Sequence, residues 1–397
     1  MTQARVLRNT ERVLEAATDA AATDGWAWLT PHGIAQRSGL STRAVQARAA
    51  DREQLALMVW RERAEPALLG LLTEALDTAG LLDAERDDAR FVRLLSGLTD
   101  PNVELRAAVE LLIMGSFVDS VATEITATLG AQTVEWCRST PRRGGRVGAA
   151  QRAFVVLVVL GLLAASRRPG AATLNISGEV ASQLDALHTP ANPVDVPAAR
   201  PPFHRHVTEF GTDDPIHEAL LAATLQQVGH VGYDAATTRR IAEAAGVSET
   251  TIFLRHPNKV SLFLEATDRQ LAVTYRANAD FERELEDAYG PGVAAAITTR
   301  EALRPDVAAQ RAVYLEQVRV SWHDDVLMSR QAAVLDAFIQ QMRAERPDWT
   351  LAHTAARIHV SYAMGLGIPL LPLLHPRAWS LPFDVVTVPL TALQSDG

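Results

Sequence analysis

The sequence predicts an all-α protein made of two tandem, related units. Three observations carry this. Apolar residues recur at spacings of three and four, as in Val13, Leu14, Ala17 and Ala21, which is the period of an amphipathic helix. No segment alternates apolar and polar residues between turn signals, so no sheet is expected. Proline concentrates near the middle of the chain, at Pro190, Pro193, Pro197, Pro201, Pro202 and Pro215, a density that breaks helices and favours an extended tether.

A central tether raises the question of a repeat. Offset by 207 positions, the two halves align without a gap: Leu14 falls on Leu221, Gly25 on Gly232, Thr30 on Thr237, Ile34 on Ile241 and Ala35 on Ala242. Gly39 then falls on Gly246, Ser41 on Ser248, Arg48 on Arg255 and Leu55 on Leu262. About 130 residues of further helical pattern, with little mutual similarity, follow each aligned block. The expected boundaries are 1–62 and 63–188, a linker at 189–214, then 215–266 and 267–397.

Composition narrows the classes. The 397 residues are 48% hydrophobic and 21% charged, the balance of an ordinary globular chain. A single cysteine, Cys137, leaves no intramolecular disulfide and no thiolate metal cage. The run Ala153 to Ser166 is apolar over 14 residues, too short for a bilayer span of about 20; a buried core helix and no membrane partner are expected. MTQARVLRNTERV carries no apolar run after its charges, so no secretory leader is expected and the cytoplasm is the expected compartment. The net charge of −9 argues against indiscriminate nucleic-acid binding without excluding a local basic face.

The second block supplies the elements of a helix-turn-helix in order. Asp214 caps and Pro215 opens a first helix, expected to end before Gly229. Thr237 caps a short helix that turns Ile241 and Ala242 inward, Gly246 permits a positive φ, and Ser248 caps a helix from Glu249 to Arg255. Pro257 and Asn258 end it, and Lys259 opens a fourth helix. Two short helices joined by a glycine turn present the second one to the DNA major groove.

Here TTRRIAEAAGVSETTIFLRHPNK resembles the DNA-binding motif of the TetR family of transcriptional regulators. The first-half stretch, TPHGIAQRSGLSTRAVQARAADRE, follows the pattern less closely and is carried by the repeat. The resemblance covers about 50 residues in each half and implies two tandem TetR-like units. Each would be an N-terminal helix-turn-helix domain followed by a helical ligand-binding and dimerisation domain. The family's recognition-helix tyrosine is Phe253 here and Gln46 in the first half; its next phenylalanine is His256 and Ala49; its closing lysine is Lys259 and Arg52.

By the resemblance and the local charge, the DNA-binding candidates of the first half are Thr30, Arg37, Ser41, Thr42, Arg43, Gln46, Arg48 and Arg52. Those of the second half are Thr237, Ser248, Glu249, Thr250, Thr251, Phe253, Arg255 and Lys259. Arg5, Arg8 and Arg12 form a basic arm ahead of the first motif. The helical remainders imply small-molecule pockets, with Met114, Phe117 and Trp136 as candidate liners in one half and Tyr314, Trp322, His323, His359 and Tyr362 in the other. Aromatics and methionines at helical spacing more often serve a plain core.

The resemblance implies a TetR-like regulator, a repressor released by an unknown small-molecule effector. Its partner would be a double-stranded DNA operator with unlike half-sites, bound by one chain acting as a pseudo-dimer. Two other readings stay open. One is an all-helical small-molecule-binding or interaction protein with one or both motifs degenerate. The other is an enzyme using the helical pocket, but the sequence holds no Gly-rich phosphate loop, no nucleophile elbow and no placed carboxylate pair. No enzymatic activity and no cofactor are expected. No metal is expected either: His353 and His359 lie six apart, whereas a helical pair of ligands needs i,i+4 spacing.

Overall fold

The computed structural model describes residues 3–138, 145–190 and 210–395. Every regular element among the described residues is a helix. The first half runs α1 (Gln3–Thr23), α2 (Pro31–Ser38), α3 (Thr42–Gln46), α4 (Arg52–Val59), α5 (Glu65–Thr78), α6 (Asp88–Ser96), α7 (Val103–Met114), α8 (Asp119–Ile125), α9 (Ala131–Trp136), α10 (Gly145–Ala165) and α11 (Ser177–His188). The second runs α12 (Pro215–Ala235), α13 (Thr238–Ala245), α14 (Glu249–Arg255), α15 (Lys259–Tyr289), α16 (Pro291–Ala302), α17 (Ala308–Ser321), α18 (Asp325–Glu345), α19 (Leu351–Leu374) and α20 (Asp384–Ser395). Most of the expected linker, 191–209, lies outside the described residues.

The starts of the two halves are built by the same local chemistry. Thr30 and Thr237 cap α2 and α13 by accepting from the N–H three residues on, and Ser41 and Ser248 cap α3 and α14 in the same way. Between them Gly39 and Gly246 take left-handed φ values of 64° and 70°, which a Cβ would strain. Asp51 and Asn258 then cap α4 and α15. Ile34 and Val45, like Ile241 and Ile252, are fully buried and join each pair of short helices to the helix before it.

One boundary differs from expectation. α12 does not stop before Gly229 but continues to Ala235, with a break at Gly232, φ 78°. Gly229 is a contact residue: a Cβ there would stand 2.9 Å from Val313 and 3.2 Å from the Ala309 carbonyl of α17. The glycine admits a neighbouring helix and does not end its own.

The main core sits where the two halves meet. α10 buries its long apolar run, as expected, and crosses α19, while α11 packs along α20. A Cβ on Gly161 would lie 1.8 Å from the Ala363 carbonyl, and one on Gly367 would lie 2.1 Å from that of Leu157. The two backbones are therefore in direct contact at the crossing. By length and composition both α10 and α19 are apolar enough to cross a membrane, but 89% of the apolar stretch of α10 is buried inside the fold.

Candidate nucleic-acid interface

In α3, Val45 is buried while Arg43 and Gln46 are exposed. Neither exposed side chain hydrogen-bonds to a described residue. In α14, Ile252 is buried while Thr250, Phe253 and Leu254 are exposed, the last two at 51% and 79%. Arg43 and Thr250 are equivalent, as are Gln46 and Phe253 and also Ala47 and Leu254. The two helices thus present unlike surfaces from equivalent positions: guanidinium and amide on one, hydroxyl and apolar groups on the other.

Several predicted DNA contacts are engaged within the protein. Arg37 pairs with Asp19 and Asp24. Arg48 donates to Thr10 Oγ1 at 3.0 Å and to the Val6 carbonyl at 3.3 Å, and the equivalent Arg255 pairs with Asp214 at 2.7 Å. Both arginines thereby tie the end of a recognition helix to the start of the first helix of its unit. Arg12, of the basic arm, donates to the Ser38 carbonyl, whereas Arg5 and Arg8 are exposed. Thr42 is half-buried, Glu249 accepts from Thr238, and Thr251 shares a hydrogen bond with Ser248 at 2.9 Å.

Arg52 and Lys259 repeat one contact. The Arg52 guanidinium lies 5.5 Å from the Trp26 ring centre and donates to the Ala27 carbonyl at 3.2 Å. Lys259 Nζ lies 3.9 Å from the Tyr233 ring centre and donates to the Tyr233 carbonyl at 2.9 Å. Each cation is held over the aromatic ring that follows a positive-φ glycine, Gly25 or Gly232.

Beneath these rings lies a buried network that sequence reasoning missed. Glu110 of α7 accepts from the Trp26 N–H at 2.8 Å, and Glu316 of α17 accepts from the Tyr233 N–H at 2.6 Å. Arg319, 2% exposed, joins them: it reaches Glu110 at 2.7 Å, Glu316 at 2.7 Å and Asp234 at 3.0 Å. His323 adds contacts to Glu110 at 3.2 Å and to the Thr23 carbonyl at 3.1 Å. Burial pushes the Glu110 carboxyl up, but Arg319, His323 and the Trp26 N–H outweigh it and hold its pKa at about 2. Burial likewise opposes the charge on Arg319, and the carboxylates of Glu316 and Glu110 raise it well above its ordinary value.

The halves also interlock here. A Cβ on Gly25 would stand 2.5 Å from His323, and one on Gly232 would stand 3.3 Å from Phe117. Phe117 and His323, two of the expected pocket liners, therefore sit at this junction, each against the other half's glycine. The signal for this arrangement was the repeat itself: Glu110 and Glu316, like Phe117 and His323, lie 206 apart, one off the offset of the aligned blocks.

Of the other expected liners, Tyr314 borders a cavity of about 200 Å³ together with Asn278, Gln310 and Ile368. Asn278 Oδ1 and Gln310 Oε1 are buried there without a hydrogen-bond partner among the described residues. Tyr362 is held by Gln331. His359 is fully buried with both ring nitrogens unpartnered among the described residues, and burial, helped by Arg168, pulls its pKa down to about 4. Trp322 is buried beneath Arg167, whose guanidinium is 5.2 Å from its ring centre. Met114 is buried and Trp136 half-buried against the main core.

Fold and surface together define an all-α protein carrying helix-turn-helix motifs, the second of them complete in caps, turn and exposed recognition helix. Residues 220–266 match the family model described as bacterial regulatory proteins, tetR family. This stretch runs from within α12 through α13 and α14 into α15, so the second motif is similar to the DNA-binding unit of those regulators. No curated protein matches the chain.

Proposed function

We propose that the chain is a TetR-like transcriptional regulator in which two units, divided at 62, 188, 214 and 266, act as a pseudo-dimer on one operator. The carrying observation is the Glu110–Arg319–Glu316 chain of contacts, which fastens the supports of two equivalent helix-turn-helix motifs to each other. Homodimeric helix-turn-helix proteins place two recognition helices in successive major grooves about 34–36 Å apart. In this chain both helices are covalently supplied. In this reading the packing of α10 and α11 against α19 and α20 serves in place of a subunit interface. Such a protein works in the cytoplasm and without a cofactor, and the pocket serves binding and not turnover.

Arg43 and Gln46 supply base-reading groups in one half, and Thr250 and Phe253 in the other, with Thr42, Glu249 and Thr251 beside them. Thr30, Ser41, Thr237 and Ser248 shape the motifs by capping. Arg37, Arg48, Arg255, Arg52 and Lys259 meet phosphate only by sharing or leaving their present partners. The engagement of these five cations favours, as a second reading, a helical binding protein with degenerate motifs.

The effector reading rests on the cavity beside Tyr314. At about 200 Å³ it is smaller than drug-sized pockets of about 300–1,000 Å³, which favours a compact ligand able to meet the Asn278 and Gln310 amides. A ligand that prefers one spacing of the two motifs shifts the population and releases DNA. Repression follows the commoner habit of the family. Selection of bound fragments from the source genome, followed by footprinting with and without candidate ligands, tests the reading; retention of no fragment above background would support the degenerate-motif alternative.

A further inference from the structure

Three potential metal ligands from three helices meet behind the second recognition helix. His217 stands in the first turn of α12, His256 closes α14, and Glu265 lies in the second turn of α15. His217 Nε2 is 3.3 Å from Glu265 Oε1, and His256 Nδ1 is 3.9 Å from Glu265 Oε2. All three ligand atoms fall within 4.8 Å of one another. The imidazole rings lie 5.4 Å apart between centres and are tilted by 54°.

A tetrahedral zinc ion, with bonds of about 2.0–2.2 Å to nitrogen and oxygen, spaces its ligand atoms by roughly 3.3–3.5 Å. The His217–Glu265 edge already has that length. The His256–Glu265 edge, measured to the other carboxylate oxygen, needs to close by about half an ångström, and the widest spacing among the three ligand atoms, up to 4.8 Å, by as much as roughly 1.3–1.5 Å, which takes rotation of the side chains. The His256 side chain is 4% exposed, and the His217 Nε2 has no hydrogen-bond partner among the described residues. Hydrogen bonding alone leaves this nitrogen unsatisfied, although it faces the Glu265 carboxylate. The partial exposure of His217 and Glu265, at 20% and 31%, leaves a water-accessible side for a fourth ligand.

We propose that His217, His256 and Glu265 form a transition-metal site of the zinc class, completed by water. The ion fastens the end of the recognition helix to α12 and α15. Two imidazoles and one carboxylate are the donor set of an open zinc site. Arg269 also pairs with Glu265 Oε1, at 2.9 Å, and donates to the Phe210 carbonyl at 3.1 Å. On metal binding it gives up the first contact and can keep the second. Arg255 and Asp214, adjoining His256 and His217, satisfy each other at 2.7 Å and stay outside the donor set.

The first half provides an internal control. Its equivalents of His217, His256 and Glu265 are Thr10, Ala49 and Met58, so the site is confined to the second unit and the stoichiometry is one ion per chain.

The test is a zinc titration of the full, tag-free chain stripped with chelator, read by calorimetry and by competition with a chromophoric chelator. One equivalent should bind and raise the melting temperature. His217→Ala and Glu265→Gln should each abolish stoichiometric binding. His256→Phe, which keeps a ring in the buried position, should abolish it in a chain that still melts cooperatively. Absence of saturable binding, or one equivalent that persists in His217→Ala and Glu265→Gln, would overturn the site. The zinc count involves no DNA, so its outcome is separable from that of the regulator reading.

Discussion

The carboxylate of Glu110 and the guanidinium of Arg319 meet at 2.7 Å, both buried, and they belong to different halves of the chain. The position equivalent to Arg319 by the 206-residue spacing is Ile113, so a single arginine serves both sides. Its removal would leave Glu110 and Glu316 buried without their main counter-charge. Breaking a buried pair from one side costs about 3–5 kcal/mol, far more than an exposed pair contributes.

Arg319→Met should therefore lower unfolding free energy by about 3–5 kcal/mol in urea denaturation. Arg37→Ala, which breaks a half-exposed pair, should cost no more than about 1 kcal/mol. Equal losses in the two variants would remove the special standing of the inter-half network.

Acid should dissolve the same network. The Glu110 pKa of about 2 lies below its ordinary 4.5. The stability it contributes is therefore present above pH 4.5 and is lost as pH falls toward 2. Circular-dichroism melts across this window should show a steeper decline for the native chain than for Glu110→Gln.

His359 titrates in a different window. Its pKa falls from 6.5 to about 4 in the fold, so the neutral ring is favoured and the associated stability is lost as pH drops from 6.5 toward 4. The loss should be of the order of 3 kcal/mol. His359→Leu should decline less steeply than the native chain over that range, and an unchanged profile would show that His359 is not a source of the loss.

The contact of α10 with α19 admits no side chain at Gly161. Gly161→Leu should disrupt the packing between the halves and cost several kcal/mol, since a core overpacked against backbone has no room to relax. The native chain should sediment near its own 43.0 kDa, because α10, α11, α19 and α20 already cover one another. A dominant tight dimer of the native chain in ultracentrifugation would contradict this.

On DNA, Arg43→Ala should cost roughly 1–3 kcal/mol and relax specificity in one half-site only. Phe253→Ala should affect the other half-site. Lys259→Ala should weaken binding to all sequences alike and lower the salt slope by about one. It should also destabilise the second unit by about 1–2 kcal/mol through loss of the Tyr233 contact. Equal disturbance of both half-sites by Arg43→Ala would sink the unlike-half-site model.

What the sequence determined by itself is what depends on neighbours in the chain. Thr237, Gly246, Ser248 and Asn258 act on backbone groups within about three residues of themselves, so the bounds of α13, α14 and the start of α15 were legible from residue type and spacing. Gly229 reads as a stop for the same reason, since nothing near it in the chain announces the Ala309 carbonyl. Only the tertiary structure decided that Arg319 spans the halves, that Phe117 and His323 sit at the junction against the other half's glycine, and that His217 and Glu265 converge on His256. These contacts join positions tens to hundreds of residues apart, and each depends on helix packing that places a side chain within about 3–4 Å of its partner. A pattern of residue types carries the period of a helix and the identity of its caps; which faces meet is fixed by close packing of the whole core.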